Sequence, residues 1–329
     1  MLRYLRNGGR QALAIGAALL SLCAADAGAQ AWPGKAVRII AAGTAGGTAD
    51  IVARLLADGL APELGKPVIV EPKPGAGGAL AVNDLVQAPH DGHTVLVAVN
   101  SLVSEIPHIV KLQIDMAKAI QPLAELARGG LVMVGARSLP ANDFAGVIAY
   151  VKANPGKVAY ASYTPGTMSH LLGLQLNKAA GIEMTHVGYK GSSPALIDVM
   201  GGHVALMFDG MATSLPLIKS GKIKAFAVST PARAPALPDV PTFAELGYPQ
   251  LEVLGWIALW TTPDLAAPVQ ARLREATLKA LARPPLRERL QEIGYEAGAP
   301  RSSEEMSRSL RAEHERVGEL LKSIGFKAQ

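Results

Sequence analysis

The sequence predicts an α/β fold built in two parts, and three observations carry that expectation. Short apolar runs alternate with segments of helical periodicity along most of the chain. A unit of strand, small-residue loop, Gly-Thr and helix occurs twice, starting at Val37 and at Val158, about 120 residues apart. The 329 residues are enough for one large domain or for two of roughly 150.

The first residues stand apart from this pattern. Arg3, Arg6 and Arg10 precede an apolar stretch, Ala12 to Cys23, that is too short to span a bilayer comfortably. Ala27-Gly28-Ala29 then matches a small-x-small cleavage pattern, so residues 1–29 are expected to be an export signal cut after Ala29 or, as second choice, after Ala31. Leu22 before Cys23 is too large for the usual lipobox, which argues against a lipid anchor. Without the signal the chain keeps 29 basic and 26 acidic side chains, a formal +3. That charge, with no basic stripe interleaved with aromatics, excludes a nucleic-acid footprint. The only cysteine leaves with the signal, and disulfide or thiolate chemistry with it. No later run approaches a transmembrane length, so a soluble exported product is expected.

The first strand is Val37–Ala41. It turns through Gly43-Thr44-Ala45-Gly46-Gly47-Thr48 into a helix with Ile51, Val52, Leu55, Leu56 and Leu60 on its apolar face. Thr48 is the expected N-cap. Asp50 falls in the first turn and is expected to point sideways at its own helix end, because facing the site it would repel an anion. Such a start leaves several backbone N–H groups unpaired beside the positive end of the dipole, a ready anion site. The alternative is a tight turn with nothing bound.

Further strands are expected at Val68–Val70, Thr94–Val99, Leu131–Gly135, Val158–Tyr160, Met184–His186, Val204–Phe208, Ile223–Ser229 and Trp256–Leu259. Helical patterns between them include Ala141–Asn154, Thr167–Ala179 and Ser193–Met200, and from Pro263 to about Ile324 the chain reads as all helical. The alternation argues largely parallel sheets. The second loop, Ser162-Tyr163-Thr164-Pro165-Gly166, leads to Thr167 as N-cap. Neither loop holds Arg or Lys, so an anion there would rest on neutral donors from both. Ligands of open α/β sheets sit outside the carboxyl ends of strands, which places the two loops on one crevice.

Other motifs carry less. Gly75-Ala76-Gly77-Gly78 suggests a dinucleotide fingerprint, but Leu80 fills its sixth position and Pro72 and Pro74 interrupt the entry; a hinge-side loop is the expected use. No Gly-Lys pair is followed by Ser or Thr, and no Gly-x-Ser-x-Gly elbow occurs. His90 and His93 flank Asp91-Gly92, a turn rather than a metal site, and neither metal nor cofactor is expected. His170 is expected to orient its loop by a hydrogen bond, and Lys190 to be solvated. Asp209 ends a buried strand, where it either binds an amino or hydroxyl group of a ligand or caps a neighbouring backbone. A reading from another class is an exported hydrolase using Ser162 or Ser193 with His170 or His186, but no motif supplies a group to orient the base.

From Thr185 the chain runs His186-Val187-Gly188-Tyr189-Lys190-Gly191-Ser192-Ser193-Pro194, then Gly201-Gly202-His203-Val204-Ala205-Leu206-Met207-Phe208-Asp209. With Trp32-Pro33-Gly34-Lys35, Val70-Glu71-Pro72-Lys73-Pro74-Gly75, Gly166-Thr167 before His170, and Leu237-Pro238-Asp239-Val240-Pro241-Thr242, it resembles the Bug-type, or tripartite tricarboxylate transporter, substrate-binding proteins. The resemblance covers essentially the whole chain after the signal. It implies a two-lobed, type II-like periplasmic-binding-protein fold that closes by a hinge over a small carboxylate. It also implies a monomeric periplasmic receptor that serves integral-membrane transporter subunits and is not an enzyme; a receptor that feeds a signalling partner instead is not separable by sequence. The implied lobes are residues 32–130 plus 253–329, and 131–252. The implied ligand contacts are Gly43, Thr44, Ala45, Gly46, Gly47, Thr48, Ser162, Tyr163, Thr164, Gly166, Thr167, His170 and Asp209. The chain departs from the family pattern where Gly43-Thr44-Ala45 replaces Phe-Pro-Pro, where Tyr163-Thr164-Pro165 replaces smaller residues, and where Ala205 replaces a frequent Asp. These departures bear on the ligand rather than on the fold.

Overall fold

The computed structural model describes residues 32–323 and 326; the expected export signal lies outside them. Two sheets form, each from strands that the apolar runs mark out. The first joins β1 (Val37–Ala41), β2 (Val68–Pro72), β3 (Thr94–Val99), β4 (Gln121–Gly129), β10 (Gly255–Thr261) and β11 (Glu296–Ala297) in the order β11-β4-β10-β3-β1-β2. The second joins β5 (Leu131–Ala136), β6 (Val158–Ser162), β7 (Met184–Gly188), β8 (Leu206–Gly210) and β9 (Ile223–Val228) in the order β7-β6-β8-β5-β9.

Helices connect and cover the strands. They are α1 (Thr48–Leu64), α2 (Ala79–Gln87), α3 (Ser101–Ser104), α4 (Met116–Ala119), α5 (Phe144–Ala153), α6 (Met168–Ala180), α7 (Ser192–Gly201) and α8 (Met211–Lys219). The last three are α9 (Ala267–Ala282), α10 (Pro284–Glu292) and α11 (Ser303–Ser323). α1 buries Val52, Leu55, Leu56 and Leu60, the face its sequence period marks, and stops at Gly65, whose left-handed φ of 64° lets its N–H reach the Ala61 carbonyl.

The sheets are mixed, which corrects the expectation of largely parallel sheets. β1 pairs in parallel with β2 and β3, and β6 with β7 and β8, as crossover helices require. β10, however, runs antiparallel between β3 and β4, and β5 antiparallel between β8 and β9. Both exceptions follow from the chain crossing between sheets, once from Gly129 to Leu131 and once between Val228 and Gly255. Each crossing strand enters its new sheet against the grain. The two crossings lie side by side. Ser229 ties them: its Oγ accepts the Leu131 N–H at 2.8 Å and donates to the Val253 carbonyl at 2.9 Å. Gly130 leaves room for this, since a Cβ there would fall 2.7 Å from Ser229 Oγ.

β4 is a strand that the sequence pattern does not announce. Its Ala-Glu-Leu-Ala-Arg run favours helix by propensity, but six consecutive residues are buried between β10 and β11, and burial wins. Glu125, fully buried, is held there by Arg128 at 2.8 and 3.0 Å and by Arg301 at 3.1 Å. The first core centres on Trp256, Trp260, Leu96, Leu102 and Ile106, and the second on Tyr160, Phe208, Phe144, Phe243 and Phe226. Each fully buried ring contributes roughly 1.5–3 kcal/mol. Among the described residues no helix is long and apolar enough to cross a membrane.

Candidate ligand-binding site

Four helices begin directly after, or one short loop beyond, the carboxyl ends of parallel strands: α1 after β1, α6 after β6, α7 after β7 and α8 after β8. Residues at all four starts line one cavity of about 350 Å³, a size usual for small-molecule sites. Thr48, Thr167, Ser192 and Gly210 represent the four starts in its wall. The first N–H groups of each helix have no partner within the helix, so positive dipole ends converge on one space. Among the described residues, Lys190, exposed at the rim, is the only Lys or Arg in the lining.

The first loop is held from within. Thr44 O accepts the Gly47 N–H at 2.9 Å, and Gly46, at φ 69°, gives its N–H to Asp50 Oδ2 at 2.9 Å. Arg54 pairs with Asp50 at 3.0 Å, so the carboxylate points back along its own helix end as expected. The N-cap is Gly47 and not Thr48. Thr48 is the first helical residue, and its hydroxyl pairs with that of Tyr295, which enters from the turn after α10. That leaves the Thr48 and Ala49 N–H groups at the cavity wall. Thr44 Oγ1 is buried beside them without a hydrogen-bond partner among the described residues.

The second loop is more inward than its sequence suggests. Thr167 is the N-cap, yet its hydroxyl donates to Thr164 O at 2.7 Å, and Thr164 Oγ1 donates to Tyr163 O at 2.6 Å. Both line the cavity, but their hydrogens are spent on their own loop. Tyr163 also lines it; burial raises its hydroxyl pKa well above the ordinary value. Ser162, His170, Gly166 and Asp209 sit behind the wall. Ser162 is fully buried and shares a 2.7 Å hydrogen bond with His186 Nε2. His170 Nδ1 accepts the Gly166 N–H at 3.2 Å, the loop-orienting role expected for it, and its ring stacks on His186 at 3.7 Å. Burial, and for His170 also the neighbouring His186, lowers the two imidazoles to about 3 and about 4, so both are neutral at pH 7.

Asp209 lies outside the cavity lining and is held mainly by side-chain hydroxyls, which neither of its two expected roles named. Its carboxylate accepts from Ser192 Oγ at 2.6 Å, Thr213 Oγ1 at 2.5 Å and Ser214 Oγ at 2.7 Å, which locks the starts of α7 and α8 to each other. Burial pushes its pKa up while those donors pull it down. Ala45 and Gly46 are exposed and lie outside the cavity lining; Ala45 O instead accepts Ser193 Oγ at 3.1 Å across the cleft. The structure thus gathers Gly43, Thr44, Gly47, Thr48, Tyr163, Thr164 and Thr167 at the cavity and sets the other six aside.

Several lining residues escape the sequence reading or are given another role by it. Gly75 to Gly78, assigned to the hinge, line the cavity, and so do Asn100, Ser101, Gly191, Ser192, Trp256 and Tyr295. Gly191 and Ser192 carry a signal, a third helix start after a strand at a glycine followed by a hydroxyl residue. Tyr295 carries none, because it enters from a turn near the C-terminus. Among the described residues no group of His, Cys, Asp and Glu is arranged to hold a metal ion. The Ser162–His186 pair has the distance of a nucleophile and its base, but neither residue lines the cavity, and no carboxylate among the described residues orients the imidazole.

Residues 52–326 match the family described as the tripartite tricarboxylate transporter family receptor. A UPF0065 protein of Bordetella pertussis is 32% identical over 311 residues, 94% of this chain and 96% of that protein. Protein BugT of the same organism is 33% identical over 77% of this chain and 79% of its own. Among solved structures, the periplasmic binding protein BugD superposes with a TM-score of 0.85 at 31% identity, covering 91% of this chain and 100% of BugD. R. palustris Rpa4515 with adipate gives 0.86 at 29% identity over 91% of this chain and 100% of that one. MatC from Rhodopseudomonas palustris with bound malate gives 0.82 at 29% identity over 88% of this chain and 100% of MatC.

Proposed function

Because the chain belongs to the tripartite tricarboxylate transporter receptor family, we propose that it is a periplasmic receptor that captures a small organic carboxylate by closing two lobes over it. It then delivers that ligand to integral-membrane subunits of a tripartite tricarboxylate-type transporter, and it works as a monomer without cofactor or catalysis. The lobes divide at residues 130/131 and 252/253, where the chain crosses between sheets.

One observation carries this reading: four helix starts converge on one cavity with no buried basic side chain among the described residues of its wall. A carboxylate there is held by neutral donors, which are the Thr48 and Ala49 N–H groups, Thr44 Oγ1 and the first N–H groups of α7. A hydrogen bond to a charged group contributes about 1.5–3 kcal/mol, so four give roughly 6–12 before the costs of association. Micromolar binding needs about 8 kcal/mol, which this set reaches only when both lobes contribute.

The test is calorimetry and small-angle scattering with simple organic acids. Ligand should reduce the radius of gyration. Gly47→Asp puts a carboxylate at the anion position, with its Cβ 3.0 Å from Thr44 O, and should lower affinity at least about tenfold, or 1.4 kcal/mol, in a folded protein. Thr167→Ala should cost less, since its hydroxyl serves its own loop. Normal binding by Gly47→Asp with loss of binding in Lys190→Ala would place the anion at the rim and refute this site. The 2.7 Å Ser162–His186 contact favours a second reading, a hydrolase, which would require ester turnover that Ser162→Ala abolishes.

A further inference from the structure

The cavity has two chemically different ends. At one end Thr44 and Thr48 meet the second lobe. A Cβ on Gly191 would lie 2.3 Å from Thr44 Oγ1, and one on Gly210 would lie 2.6 Å from Thr48 Oγ1. This end holds the starts of α1, α7 and α8 and the unpartnered Thr44 hydroxyl. At the other end a Cβ on Gly77 would touch Ile106 at 2.9 Å, one on Gly78 would touch Leu102 at 2.6 Å, and one on Gly255 would touch Met168 at 2.6 Å. Val110 and Trp256 complete that apolar wall.

A second anion would have to be held at the apolar end, and most of the polar side chains there are already engaged. Asn100 accepts the Trp256 N–H at 3.1 Å and donates to Glu313 at 2.8 Å. The Thr164 and Thr167 hydroxyls donate to their own loop. Ser101 adds one neutral hydroxyl. The start of α6, which the sequence marks as the second anion site, already serves a carboxyl of this chain: the Met168 N–H donates to Glu105. Glu105 is 4% exposed, and its Oε2 has no hydrogen-bond partner among the described residues. Glu313 and Arg316 of α11 and the Tyr163 hydroxyl act on it electrostatically. Burial, then Glu313, raises its pKa to about 8.

We propose that the ligand carries a single carboxylate, bound between Thr44, Thr48 and the start of α7, and an apolar aliphatic or aromatic body that packs on Leu102, Ile106 and Trp256. The chain thereby prefers monocarboxylates to dicarboxylates of the same length. A second carboxylate would be desolvated against the hydrocarbon of Leu102, Ile106 and Val110, with no Lys or Arg among the described lining residues at that end to offset it, whereas a methyl or ring edge gains apolar contact. This inference rests on the carboxylate-receptor reading and deepens it.

The experiment is calorimetric titration of protein freed of co-purified ligand by unfolding and refolding, with two matched pairs, hexanoate against adipate and benzoate against terephthalate. At least one monoacid should bind, tenfold or more tighter than its diacid. A diacid that binds as tightly as its monoacid or more tightly, in whichever pair binds, overturns this inference and leaves the receptor reading standing. Binding of no acid from either pair overturns the receptor reading, and the inference with it. Glu105→Ala frees the Met168 N–H for a second carboxylate, so adipate should gain at least tenfold relative to hexanoate. Glu105→Gln, which keeps an acceptor on that N–H, should retain the wild-type preference. An unchanged ratio in a folded Glu105→Ala variant overturns the role given to Glu105.

Discussion

Gly191→Ala is the sharpest test of closure. Gly191 caps α7 after β7 of the second sheet at φ 148°, and an added Cβ would lie 2.3 Å from Thr44 Oγ1 and 2.6 Å from Thr44 Cγ2, in the loop after β1 of the first sheet. The unfavourable φ is local and acts in open and closed forms alike, so it cancels from the closing equilibrium. On the proposed closure, the contact with Thr44 exists only in the closed form. Relieving it needs roughly 1 Å of separation to reach ordinary van der Waals distance, which stretches the Ser193–Ala45 hydrogen bond of 3.1 Å across the same seam. Overpacking of this kind costs about 1–3 kcal/mol, which is roughly 5- to 150-fold in affinity. Calorimetry with the tightest-binding acid, paired with scattering, reads the effect. Thr44→Gly in the same chain removes the obstacle and should restore closure, though not the ligand contact proposed for Thr44. Gly46→Ala is the control, since its Cβ meets only Ser193 Oγ, at 3.7 Å, and costs backbone strain alone. Wild-type affinity in Gly191→Ala, within twofold, would show that the loops do not approach as the structure places them.

Three further outcomes are expected. Glu105 at about 8 holds a proton that an exposed carboxyl, near 4.5, has released; the unfolded chain binds fewer protons between those values, so stability from this group falls as pH rises through that window. His170 and His186 act oppositely: held at about 3 and about 4 against 6.5 when exposed, they cost stability as pH drops below 6.5. A melting-temperature profile against pH should lose its alkaline limb in Glu105→Gln and part of its acid limb in His186→Gln; an unaltered profile in either would assign that limb to other groups. Glu125→Ala strands two arginines that are only partly exposed, at 33% and 20%, and should lower the urea midpoint by the equivalent of about 3 kcal/mol with the slope unchanged. Trp256, in the cavity wall with its indole N–H 3.3 Å from Glu313, should change emission on ligand binding; a silent tryptophan spectrum in a chain that binds by calorimetry would place the ligand away from it.

The sequence by itself determined what depends on neighbours in the chain. Apolar runs fixed where most strands lie, because burial on both faces demands them, and small residues after Val37–Ala41 and Val158–Ser162 fixed two of the helix starts. The same local logic placed Asp50 at its own helix end and His170 on its own loop. Tertiary structure alone decided what depends on partners far along the chain. β4 is a strand because β10 and β11 pair with it against its helical propensity. The sheets are mixed because the chain crosses between them twice. Thr164 and Thr167 looked like ligand donors, yet whether a hydroxyl hydrogen faces a cavity or a neighbouring carbonyl is settled by loop geometry that composition does not encode. Glu105 was invisible for the same reason: only the packing of α11, Tyr163 and the start of α6 around one carboxyl buries it.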